Sequence, residues 1–597
     1  MSTIWMGDFE TTTDPSNCYV WAYALCEVGT PDNIIIGTSL DDFMEWCENL
    51  DTNDKILFHN LKFDAQFIID WLLRHGYKHV EDKKEIDSKT FMTLISDKGL
   101  YYSVDVIFYK KGKRVKRVIF QDSLKLIPLS VDAIAKSFKL PISKLKIDYA
   151  AHNGKPAGTP LTQEEKDYII NDVRIVAYAV DYFYKEGLTK MTIGSCALDE
   201  YKKLISKRYF QRYFPEPRFH DDVKQSYRGG FTYLNPKFES KTVGPGIVLD
   251  VNSLYPSVMY YDYLPYGEPI FFKGKYEHDD VYRLYTQMFR CSFEIKPGKI
   301  PTIQLKFNPR YKANEYITTT NDEEVTLCLN SVDLKLFFEQ YDVYNIEYLS
   351  GWKFKATRGL FTDYIDKWSA KKIEAKEQGN HGMYLISKLF LNNLYGKFGT
   401  DTKVKSKVPY IDPDDEALHY RDGKEEKRPG VYVVMASFIT SWARLKTISA
   451  AQKIMDDYAA GKSKIQFIYA DTDSLHCLSP DLELPEGLEI DSTKLGAWDH
   501  EMSFQKGRYL RQKCYIENEY ISEDEYIEGL EKENAFLYNK DKKGFYKLKI
   551  TVAGMPSSCY PYVNFNTFKV GASFKGKKVP RLVKGGCVLN EVDFTIK

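Results

Sequence analysis

Four acidic residues in the N-terminal third have the types and the spacing that binding of divalent cations requires. Asp8 and Glu10 lie two residues apart, so a strand places both side chains on one face. Asp64 ends an Asn-x-x-Phe-Asp segment, and Asp172 follows Tyr168 at i+4, on the same helical face. Each acid alone is more often a solvated surface residue, but together they supply the oxygen ligands with which two hard cations clamp a phosphodiester. Tyr168 would then orient the attacking water.

A second group of acids lies in the C-terminal two thirds of the chain. Asp250 ends the apolar segment Ile247-Val248-Leu249, and Asp471 and Asp473 occupy the tip of a predicted hairpin. Acids at a hairpin tip are usually solvated turn residues. Their combination with Asp250 instead brings carboxylates from two distant segments together, as nucleotidyl transfer requires. We predict that Asp250 and Asp473 are metal ligands, that Asp471 supports them, and that Val251 adds a backbone carbonyl.

A helical stretch between these acids has a polar face. Lys388, Asn392 and Tyr395 follow i, i+4 and i+7 spacing, so one face carries a cation, an amide and an aromatic ring. A face that packs into a core would have apolar residues there. This stripe suits a nucleoside triphosphate, with Lys388 at its phosphates and Tyr395 near the new base pair. Lys372 is a second candidate for the phosphates.

The elements that would position these residues follow from the same sequence. Alternating strand-like and helix-like segments predict an α/β domain in the first third, over Thr3 to Phe9, Lys55 to Phe58, Ala65 to Leu73 and Tyr101 to Tyr109. Thr162-Gln163-Glu164-Glu165 is a capping box, and the helix that it starts ends near Gly187. Later elements are a strand that ends at Asp250, a helix from Gly382 through Lys397 and a strand pair around Asp471 to Asp473.

The composition is that of a folded protein with several domains. The chain has 597 residues, 43% hydrophobic and 28% charged, and single cores stop growing well below that length. The formal net charge is zero, so overall charge does not indicate a nucleic-acid partner, although acidic sites can cancel basic clusters. The 45 Tyr and 35 Phe suit either base stacking or large cores. The 10 Cys form no Cys-x-x-Cys pair, which favours a reducing compartment, and neither a secretory signal nor a membrane-spanning run is visible.

The motifs resemble those of family B DNA polymerases in their order and spacing. The segments that resemble the family's A, B, C and Lys-x-Tyr motifs are Asp250 to Pro256, Lys388 to Gly396, Tyr469 to Ser474 and Lys513 to Tyr515. The N-terminal acids with Tyr168 resemble the three exonuclease motifs of the DEDDy proofreading nucleases. The compact length and the segments Tyr227 to Gly230 and His59 to Asp64 resemble the protein-primed subgroup, the phi twenty-nine type.

This resemblance implies an α/β and α+β multidomain fold, in which a ribonuclease H-like 3′→5′ exonuclease domain precedes a right-hand polymerase with two insertions. The implied limits are 1–190 for the exonuclease domain, 191–261 and 429–545 for the palm, 360–399 for the fingers and 546–597 for the thumb. The first insertion, 262–359, would be the terminal-protein region. The second insertion, 400–428, would serve strand displacement and processivity.

The implied function is that of a DNA-dependent DNA polymerase with a 3′→5′ proofreading exonuclease. It would replicate a linear phage-type genome in a protein-primed, processive and strand-displacing manner, in the cytoplasm of a bacterial host. The implied partners are primer-template DNA, deoxynucleoside triphosphates and a terminal protein, with the chain acting as a monomer or as a heterodimer with that protein. The implied cofactor is Mg²⁺ or Mn²⁺, two ions at each active site.

Further site residues follow from the resemblance. Tyr255 would bind nucleotide, and Lys144 would be the exonuclease lysine. The residues expected to bind DNA are Asn60, Phe63, Ser123, Leu124, Tyr227, Arg228, Gly229, Gly230, Lys513 and Tyr515. Asn393 departs from the family, which commonly has Ser after the Asn of the fingers helix. This departure concerns primer-template contact or fidelity at that position and not the chemistry.

Two other hypotheses stay open at this point. The chain would be a nuclease whose polymerase half has become a DNA-binding platform, or a non-catalytic scaffold that holds a protein primer at genome ends. The intact Asp250, Lys388 and Asp473 argue against the first hypothesis, and the two complete sets of acids argue against the second. Primer extension with metal present distinguishes the polymerase from both alternatives.

Overall fold

Two large sheets organise the chain. The structure, a computed structural model, describes residues 2–216, 219–305, 310–312 and 314–597, so the predicted units 191–261 and 262–359 include positions outside the described residues. An eight-stranded mixed sheet lies in the N-terminal third, and a nine-stranded antiparallel sheet lies in the rest of the chain. Each sheet carries one of the two predicted groups of acids.

The N-terminal sheet is an α/β unit, as the sequence predicts. Its strands are β1 (Ile4–Thr11), β2 (Val20–Glu27), β3 (Thr30–Gly37), β4 (Lys55–Phe58), β5 (Lys78–His79), β6 (Thr90–Ile95), β7 (Tyr101–Lys111) and β8 (Arg114–Asp122). Their order is β3-β2-β1-β4-β8-β7-β6-β5, with β1 parallel to β4 and β4 parallel to β8. The helices of this unit are α1 (Leu40–Asn49), α2 (Leu61–Arg74), α3 (Val131–Ser137) and α4 (Gln163–Lys185).

Both faces of this sheet are buried, which explains its nearly continuous apolar strands. On one face, Met6 of β1 belongs to the same core as Ile169 of α4. On the other face, Phe9 packs in a core with residues of α1 and α2. Because side chains alternate along a strand, Asp8 and Glu10 share the face of Met6 and point toward α4. The pairing of strand and helix therefore decides where these two acids lie.

The capping box at the start of α4 forms as predicted. Thr162 Oγ1 accepts the Glu165 N–H at 3.2 Å, and Glu165 Oε2 accepts the Thr162 N–H at 2.8 Å. These bonds satisfy two amide groups that the helix itself leaves without partners. The start of α4 is fixed in this way, and with it the rotation that turns Tyr168 and Asp172 toward β1.

The second sheet brings distant parts of the chain side by side. Its strands are β9 (Thr232–Leu234), β10 (Thr242–Val243), β11 (Gly246–Val251), β18 (Gln466–Asp471), β19 (Ser474–Leu478), β20 (Trp498–Arg511), β21 (Cys514–Ile521), β22 (Tyr538–Asp541) and β23 (Gly544–Val552). Their order is β22-β23-β21-β20-β11-β19-β18-β9, and β10 pairs with β20. The helices α8 (Leu254–Tyr261) and α12 (Val433–Ala459) pack against each other and line this sheet.

Smaller units complete the fold. The antiparallel pair α10 (Thr362–Glu377) and α11 (His381–Phe398) faces the second sheet. A separate sheet has the order β12-β15-β13-β14, from β12 (Leu264–Lys273), β13 (Leu284–Ile295), β14 (Val325–Asn330) and β15 (Tyr341–Thr357), with α9 (Ser331–Gln340) against it. Two hairpins follow, β16 (Lys403–Ile411) with β17 (Leu418–Lys427) and β24 (Ser573–Val583) with β25 (Gly586–Thr595). The remaining helices are α5 (Ile193–Ile205), α6 (Lys207–Tyr213), α7 (His220–Lys224) and α13 (Glu523–Leu530).

The predicted helix and the predicted strand pair are present within these bounds, and one predicted domain limit falls inside a strand. The predicted helix from Gly382 through Lys397 is α11, and the predicted strand pair is β18 with β19. The limit between 545 and 546 falls inside β23, which pairs with β21 as far as Val552, so the second sheet extends beyond it. The other domain limits stay predictions.

All ten cysteines are buried and free, and no helix in the described ranges is long and apolar enough to cross a membrane.

The last hairpin reaches back to the N-terminal unit. Val583, Cys587 and Val588 near its tip share a core with Phe67 of α2. Beside them, Lys584 Nζ lies 2.9 Å from Glu416 Oε2, which belongs to the turn of the hairpin β16–β17. The tips of the two hairpins and α2 are therefore in contact with one another.

Gly246 and Gly396 offer a matched test of packing in the second sheet. A Cβ on Gly246 would lie 2.3 Å from the Cys477 carbonyl oxygen and 2.3 Å from the Phe504 ring. We therefore expect Gly246→Ala to lower the thermal unfolding midpoint, at the cost of roughly 1–3 kcal/mol that is typical of overpacking. A Cβ on Gly396, within α11, meets nothing within 4 Å, so Gly396→Ala should leave the midpoint unchanged or slightly raised. Equal midpoints for the two variants in a thermal scan would contradict this packing.

Candidate active sites

The four N-terminal acids come together between β1, α2 and α4. β1 supplies Asp8 and Glu10, the first turn of α2 supplies Asp64, and α4 supplies Asp172. A cavity of about 300 Å³ opens beside them. The predicted residues that line it are Asp8, Glu10, Phe63, Lys144, Tyr168 and Asp172. Asp64 is not in that lining but is buried close by, where it interacts electrostatically with Asp8.

Burial and mutual repulsion raise the pKa values of these acids. Burial, followed by the charge of Asp172, raises the pKa of Asp8 to about 7, against the opposing effect of Lys144. Burial and then repulsion from Asp8 raise the pKa values of Glu10 and Asp64 well above their usual range. Burial also raises the pKa of Asp172, whose Oδ1 is buried without a hydrogen-bond partner. Added positive charge would stabilise the ionised form of these acids.

Lys144 and Tyr168 flank these acids. Lys144 Nζ forms an ion pair with Asp172 Oδ2 and lies 5.4 Å from the centroid of the Tyr168 ring. Burial lowers the pKa of Lys144, but the charge of Asp172, the hydrogen bond to Asp172 and the charge of Asp8 together outweigh burial, and the net shift is upward. Burial and then the charge of Glu10 raise the pKa of Tyr168, whose hydroxyl lies 3.0 Å from the Tyr149 hydroxyl. Tyr168 is thus a neutral hydroxyl that can both donate and accept a hydrogen bond.

The predicted single-strand contacts meet at one buried acid. Asp122 Oδ1 accepts the N–H of Asn60 at 3.1 Å and that of Leu124 at 2.9 Å. Asn60 has a φ of 80°, a left-handed conformation that asparagine tolerates, and its side chain is exposed. Ser123 is only 1% exposed, and its Oγ lies 2.9 Å from His59 Nδ1. Asn60 and the half-buried Leu124 present surface, and the contact of the buried Ser123 with DNA stays a prediction.

Two acids of the second group, Asp250 and Asp473, line a separate cavity of about 420 Å³. Four segments contribute to it: β11, the turn between β18 and β19, the start of α8, and the pair α10 and α11. The predicted residues that line it are Asp250, Val251, Tyr255, Lys372, Lys388, Asn392, Tyr395 and Asp473. The structure therefore brings together every residue that the sequence predicts for nucleotide and metal binding at this site.

Asp250 and Asp473 repel each other across this cavity. Burial and then the charge of Asp473 raise the pKa of Asp250 to about 7. Burial also raises the pKa of Asp473, with Asp471 adding repulsion. The Val251 N–H donates to the Asp473 carbonyl at 2.8 Å, which ties the end of β11 to the turn. Two carboxylates are thus fixed side by side although their charges oppose it.

The turn that carries Asp473 is held from both sides. Thr472 has a φ of 64°, and its N–H donates to the Phe231 carbonyl at 2.7 Å. The Thr472 carbonyl accepts a hydrogen bond from Thr447 Oγ1 of α12 at 2.8 Å. Gly230 lies so near that a Cβ on it would come within 2.6 Å of the Thr472 hydroxyl. Glycine at 230 is therefore required for the close approach of the two segments.

The predicted segment Tyr227 to Gly230 lies directly beside this turn. The Arg444 guanidinium donates to the carbonyls of Arg228 and Gly229 at 2.8 and 2.7 Å and also pairs with the buried Asp333. Burial lowers the pKa of the Arg228 guanidinium. The side chains of Tyr227 and Arg228 are half-buried, so part of each faces the outside while the backbone is fixed from within.

Asp471 and the predicted primer contacts take other positions. Asp471 is absent from the lining of the cavity: its Oδ1 lies 2.7 Å from Lys513 Nζ, and its Oδ2 accepts from the Tyr469 hydroxyl at 3.2 Å. The Lys513 side chain is 52% exposed. Tyr515 is only 6% exposed and packs against Tyr469 and Tyr509. Lys513 is accessible to DNA, and the contact of the buried Tyr515 with the primer stays a prediction.

The polar face of α11 forms one wall of the second cavity. Lys388 and Asn392 are exposed on it. The Tyr395 ring stacks on that of Tyr255, with 4.0 Å between the centroids. Asn393 is not in this lining, and its Nδ2 donates to the Leu389 carbonyl of the same helix at 2.7 Å. The departure from the family at Asn393 therefore lies beside the cavity and not in it.

The donor sets suit a cation that is held partly by substrate oxygens. The raised pKa values of Asp8 and Asp250 show that each pocket disfavours its own negative charge, a penalty that a bound cation removes. Over 2–216, 219–305, 310–312 and 314–597, no group of three or more Asp, Glu, His or Cys side chains is arranged to hold a metal ion by itself. Mg²⁺ commonly uses one or two carboxylates, waters and substrate phosphates, so these findings are compatible. The predicted ligands stay predictions.

Three contributions to the electrostatics or the lining of the cavities were not predicted from the sequence. Glu501 of β20 adds to the repulsion at Asp250 and Asp473. Tyr149 lines the first cavity beside Tyr168. Lys578 and Leu589 of the last hairpin line the same cavity, although they lie some four hundred residues further along the chain. The alternation of acids at 499 and 501 was a detectable signal for Glu501, but no local pattern marks Lys578 or Leu589.

Comparison with known proteins agrees with this architecture. A family model described as DNA polymerase type B, organellar and viral, matches residues 47–159 and 151–484. The DNA polymerase of Bacillus phage M2 is 45% identical over 594 residues, covering 99% of both chains, and that of Bacillus phage phi29 is 44% identical over 596 residues, covering 99% and 98%. The solved structure of phi29 DNA polymerase complexed with primer-template DNA and incoming nucleotide substrates superimposes with a TM-score of 0.89 at 42% identity, covering 100% of both chains.

The chain belongs to the family of type B DNA polymerases. Within that family it is a polymerase of the phi29 type, with the predicted α/β multidomain fold of an exonuclease domain and a polymerase domain.

The raised pKa of Asp250 makes the stability of the cation-free protein depend on pH. Folding holds Asp250 protonated up to about pH 7, whereas the unfolded chain ionises it near 3.8. The contribution of Asp250 to the free energy of unfolding is full at pH values below the pKa of the unfolded chain. It is lost as pH rises through the pKa of the folded protein. We expect Asp250→Asn to raise the thermal midpoint in EDTA by a few degrees at pH 8, with a smaller difference at pH 5. A difference that is the same at both pH values would contradict the assignment.

Proposed function

We propose that this polymerase is DNA-dependent, extends a primer with deoxynucleoside triphosphates, and removes mismatched 3′ ends with an exonuclease in the same chain. The observation that carries the proposal is the presence of two separate cavities, on two different sheets, each lined by acids with raised pKa values. The DNA and nucleotide complex of the phi29 relative supports the choice of substrates.

At the polymerase cavity, Asp250 and Asp473 would hold two Mg²⁺ or Mn²⁺ ions, with the Val251 carbonyl as a further ligand. When bound, such ions neutralise the triphosphate and activate the primer 3′-hydroxyl. The exposed Lys388 and the half-buried Lys372 would bind the phosphates, because both line this cavity together with the acids. Because α10 and α11 carry the lysines while β11 and the turn carry the acids, the two sets would orient the triphosphate along the cavity.

The stacked rings of Tyr255 and Tyr395 would support the sugar and base of the incoming nucleotide. Their 4.0 Å separation gives a flat apolar surface beside the acids, and Asn392 lies one turn away on the same helical face. Asp471 would act through its ion pair with Lys513 and hold that lysine toward the primer end. The template strand would lie along Tyr227, Arg228, Gly229 and Gly230.

At the exonuclease cavity, Asp8, Glu10, Asp64 and Asp172 would hold the ions. The neutral Tyr168 hydroxyl would accept a hydrogen bond from the attacking water and so direct it. Lys144, already paired with Asp172, would neutralise charge on the scissile phosphate. The single strand would reach this cavity past Phe63, Asn60 and Leu124.

A further cavity supports a role of the second insertion in enclosing the template and separating the strands. It has a volume of about 770 Å³ and lies between the N-terminal unit, α5, α11 and the hairpin β16–β17. Its lining includes the cations Lys125, Lys397, Lys403 and Arg428, as a passage for a nucleic-acid backbone requires. The tips of the hairpins β16–β17 and β24–β25, which contact each other and α2, would hold the duplex and make synthesis processive.

We also propose that synthesis is primed by a terminal protein at the ends of a linear phage-type genome, in the cytoplasm of the bacterial host. The proposal rests on likeness to the phi29 type over 99% of the chain. The unit built from the β12-β15-β13-β14 sheet, within the first insertion, is the expected contact region. The chain would act as a monomer or as a heterodimer with that protein.

The two alternatives are less well supported. A nuclease with an inactive polymerase half has no need for a cavity in which Asp250, Asp473, Lys372 and Lys388 face one another. A non-catalytic scaffold has no need for buried acids that repel one another. Both alternatives predict that nucleotide incorporation is absent.

The two sites should be separable by substitution. We expect Asp473→Ala to reduce primer extension by at least about a thousandfold, because one of two facing carboxylates is lost. Degradation of single-stranded DNA should stay within about twofold of wild type, because the exonuclease acids lie on another sheet. Asp8→Ala combined with Glu10→Ala should give the opposite pattern. Loss of both activities in either variant, measured on labelled primers, would refute the two-site proposal.

A primed single-stranded circle tests strand displacement directly. With magnesium and all four deoxynucleotides, and without helicase or clamp, we expect products many times the circle length on a denaturing gel. Chelation with EDTA should abolish both extension and degradation. Products that stop at one circle length would keep the polymerase but remove the proposal of strand displacement, and degradation without extension would favour the nuclease alternative.

A further inference from the structure

A carboxylate with no exposure lies inside the second sheet. Glu517 of β21 is 0% exposed, and the rings of Tyr469, His476, Tyr509 and Tyr515 cluster around it. The sheet permits this because the first half of β20 pairs with β11 and its second half pairs with β21. The sheet curls at this point, and β21 comes to face β19 across its interior.

Glu517 has partners on only one of its two oxygens. Glu517 Oε1 lies 2.6 Å from His476 Nδ1 and accepts the Tyr509 hydroxyl at 2.5 Å. Glu517 Oε2 is buried and has no hydrogen-bond partner. Removing a carboxylate from water is costly, and an apolar side chain of similar size would fill this interior at lower cost. The fold alone gives no reason for an acid here.

Hydrogen bonds and ring contacts connect the partners of Glu517 to the turn that carries Asp471 and Asp473. Ser474 Oγ lies 3.4 Å from His476 Nε2 and donates to the Asp471 carbonyl at 3.4 Å. In parallel, the Tyr469 ring packs against His476, and its hydroxyl donates to Asp471 Oδ2 at 3.2 Å. The Tyr469 hydroxyl also accepts the Lys513 N–H at 2.9 Å. Two short routes thus connect the buried pair to both ends of the Asp471–Lys513 ion pair.

We propose that His476 and Glu517 form a positioning pair, which fixes the turn bearing Asp471 and Asp473 against the strand that follows Lys513. Neither residue lines the cavity, so the pair does not bind nucleotide. It sets the rotation of the turn, and with it the distance between Asp473 and Asp250. The step that depends on this distance is nucleotide incorporation, whereas nucleotide affinity depends on α10 and α11.

Three substitutions separate hydrogen bonding from charge and from packing. Glu517→Gln keeps an acceptor for His476 and Tyr509 but removes the charge. Glu517→Met keeps a similar volume and removes the acceptor, and Tyr509→Phe removes one donor while the ring stays. In single-nucleotide incorporation, we expect kcat to fall about tenfold in Glu517→Met, as for partners behind metal-site ligands, and less in Tyr509→Phe. Glu517→Gln should stay within about twofold of wild type, and KM for the nucleotide should change in none of them.

The N-terminal unit contains a matched control. His152 Nε2 lies 2.9 Å from Glu165 Oε1, and both residues are buried, His152 beneath the stacked ring of Trp21. Glu165→Met removes an acid from this second buried His–Glu pair, far from the polymerase cavity. Its kcat for incorporation, normalised to active molecules, should equal that of the wild type even where its thermal midpoint is lower.

The outcomes decide the proposal. A selective fall in kcat for Glu517→Met and Tyr509→Phe, restored in Glu517→Gln, supports it, with single-strand degradation unchanged in all three. Wild-type kcat in Glu517→Met, or an equal fall in Glu165→Met or in Glu517→Gln, overturns it. A change confined to KM also overturns it. If Glu517→Met does not fold, Tyr509→Phe decides, because that substitution leaves the ring packing intact and wild-type kcat in it would overturn the proposal.

Discussion

Both cavities depend on one constraint: carboxylates must be held close together although burial and repulsion oppose it. In each case a strand in the middle of a sheet carries some of the acids, Asp8 and Glu10 on β1 and Asp250 on β11. β1 lies between β2 and β4, and β11 lies between β19 and β20, so hydrogen-bonded ladders on both sides prevent either strand from moving apart. The apolar cores above and below these strands supply the stability against which the repulsion acts. Rigid central strands are therefore the part of the fold on which the chemistry depends.

The two sites share a second property. Each has one acid that already has a lysine partner, Asp172 with Lys144 at one site and Asp471 with Lys513 at the other. Asp8 and Asp250 have no ion-pair partner among the described residues, and burial and repulsion raise the pKa of each to about 7. The lysine thus lowers the charge of each site through one acid only. A lysine beside each site would therefore leave Asp8 and Asp250 available to a divalent cation.

The sequence predicts what is local in this molecule. Periodicity and capping place Tyr168 and Asp172 on one face of α4, and the i, i+4, i+7 spacing places Lys388, Asn392 and Tyr395 on one face of α11. Spacing alone does not bring Asp250 to Asp473, and the chemistry of nucleotidyl transfer, which needs carboxylates from two distant segments, supplied that pairing. The burial of Ser123 and Tyr515 was not predictable, because it depends on how the segment after β8 packs against the end of β4 and on the curl of the second sheet. Contacts between residues hundreds of positions apart leave no periodic signal in either segment.

One such contact joins residues that are translated at very different times. The acids of the first cavity lie at positions 8 to 172, but Lys578 and Leu589, which form part of its wall, come from the hairpin β24–β25 some four hundred residues later. On the ribosome, a nascent chain therefore carries the acids long before their pocket is closed. A product of premature termination before that hairpin would expose these acids to solvent on one side. The pocket is therefore complete only when the hairpin β24–β25 is present.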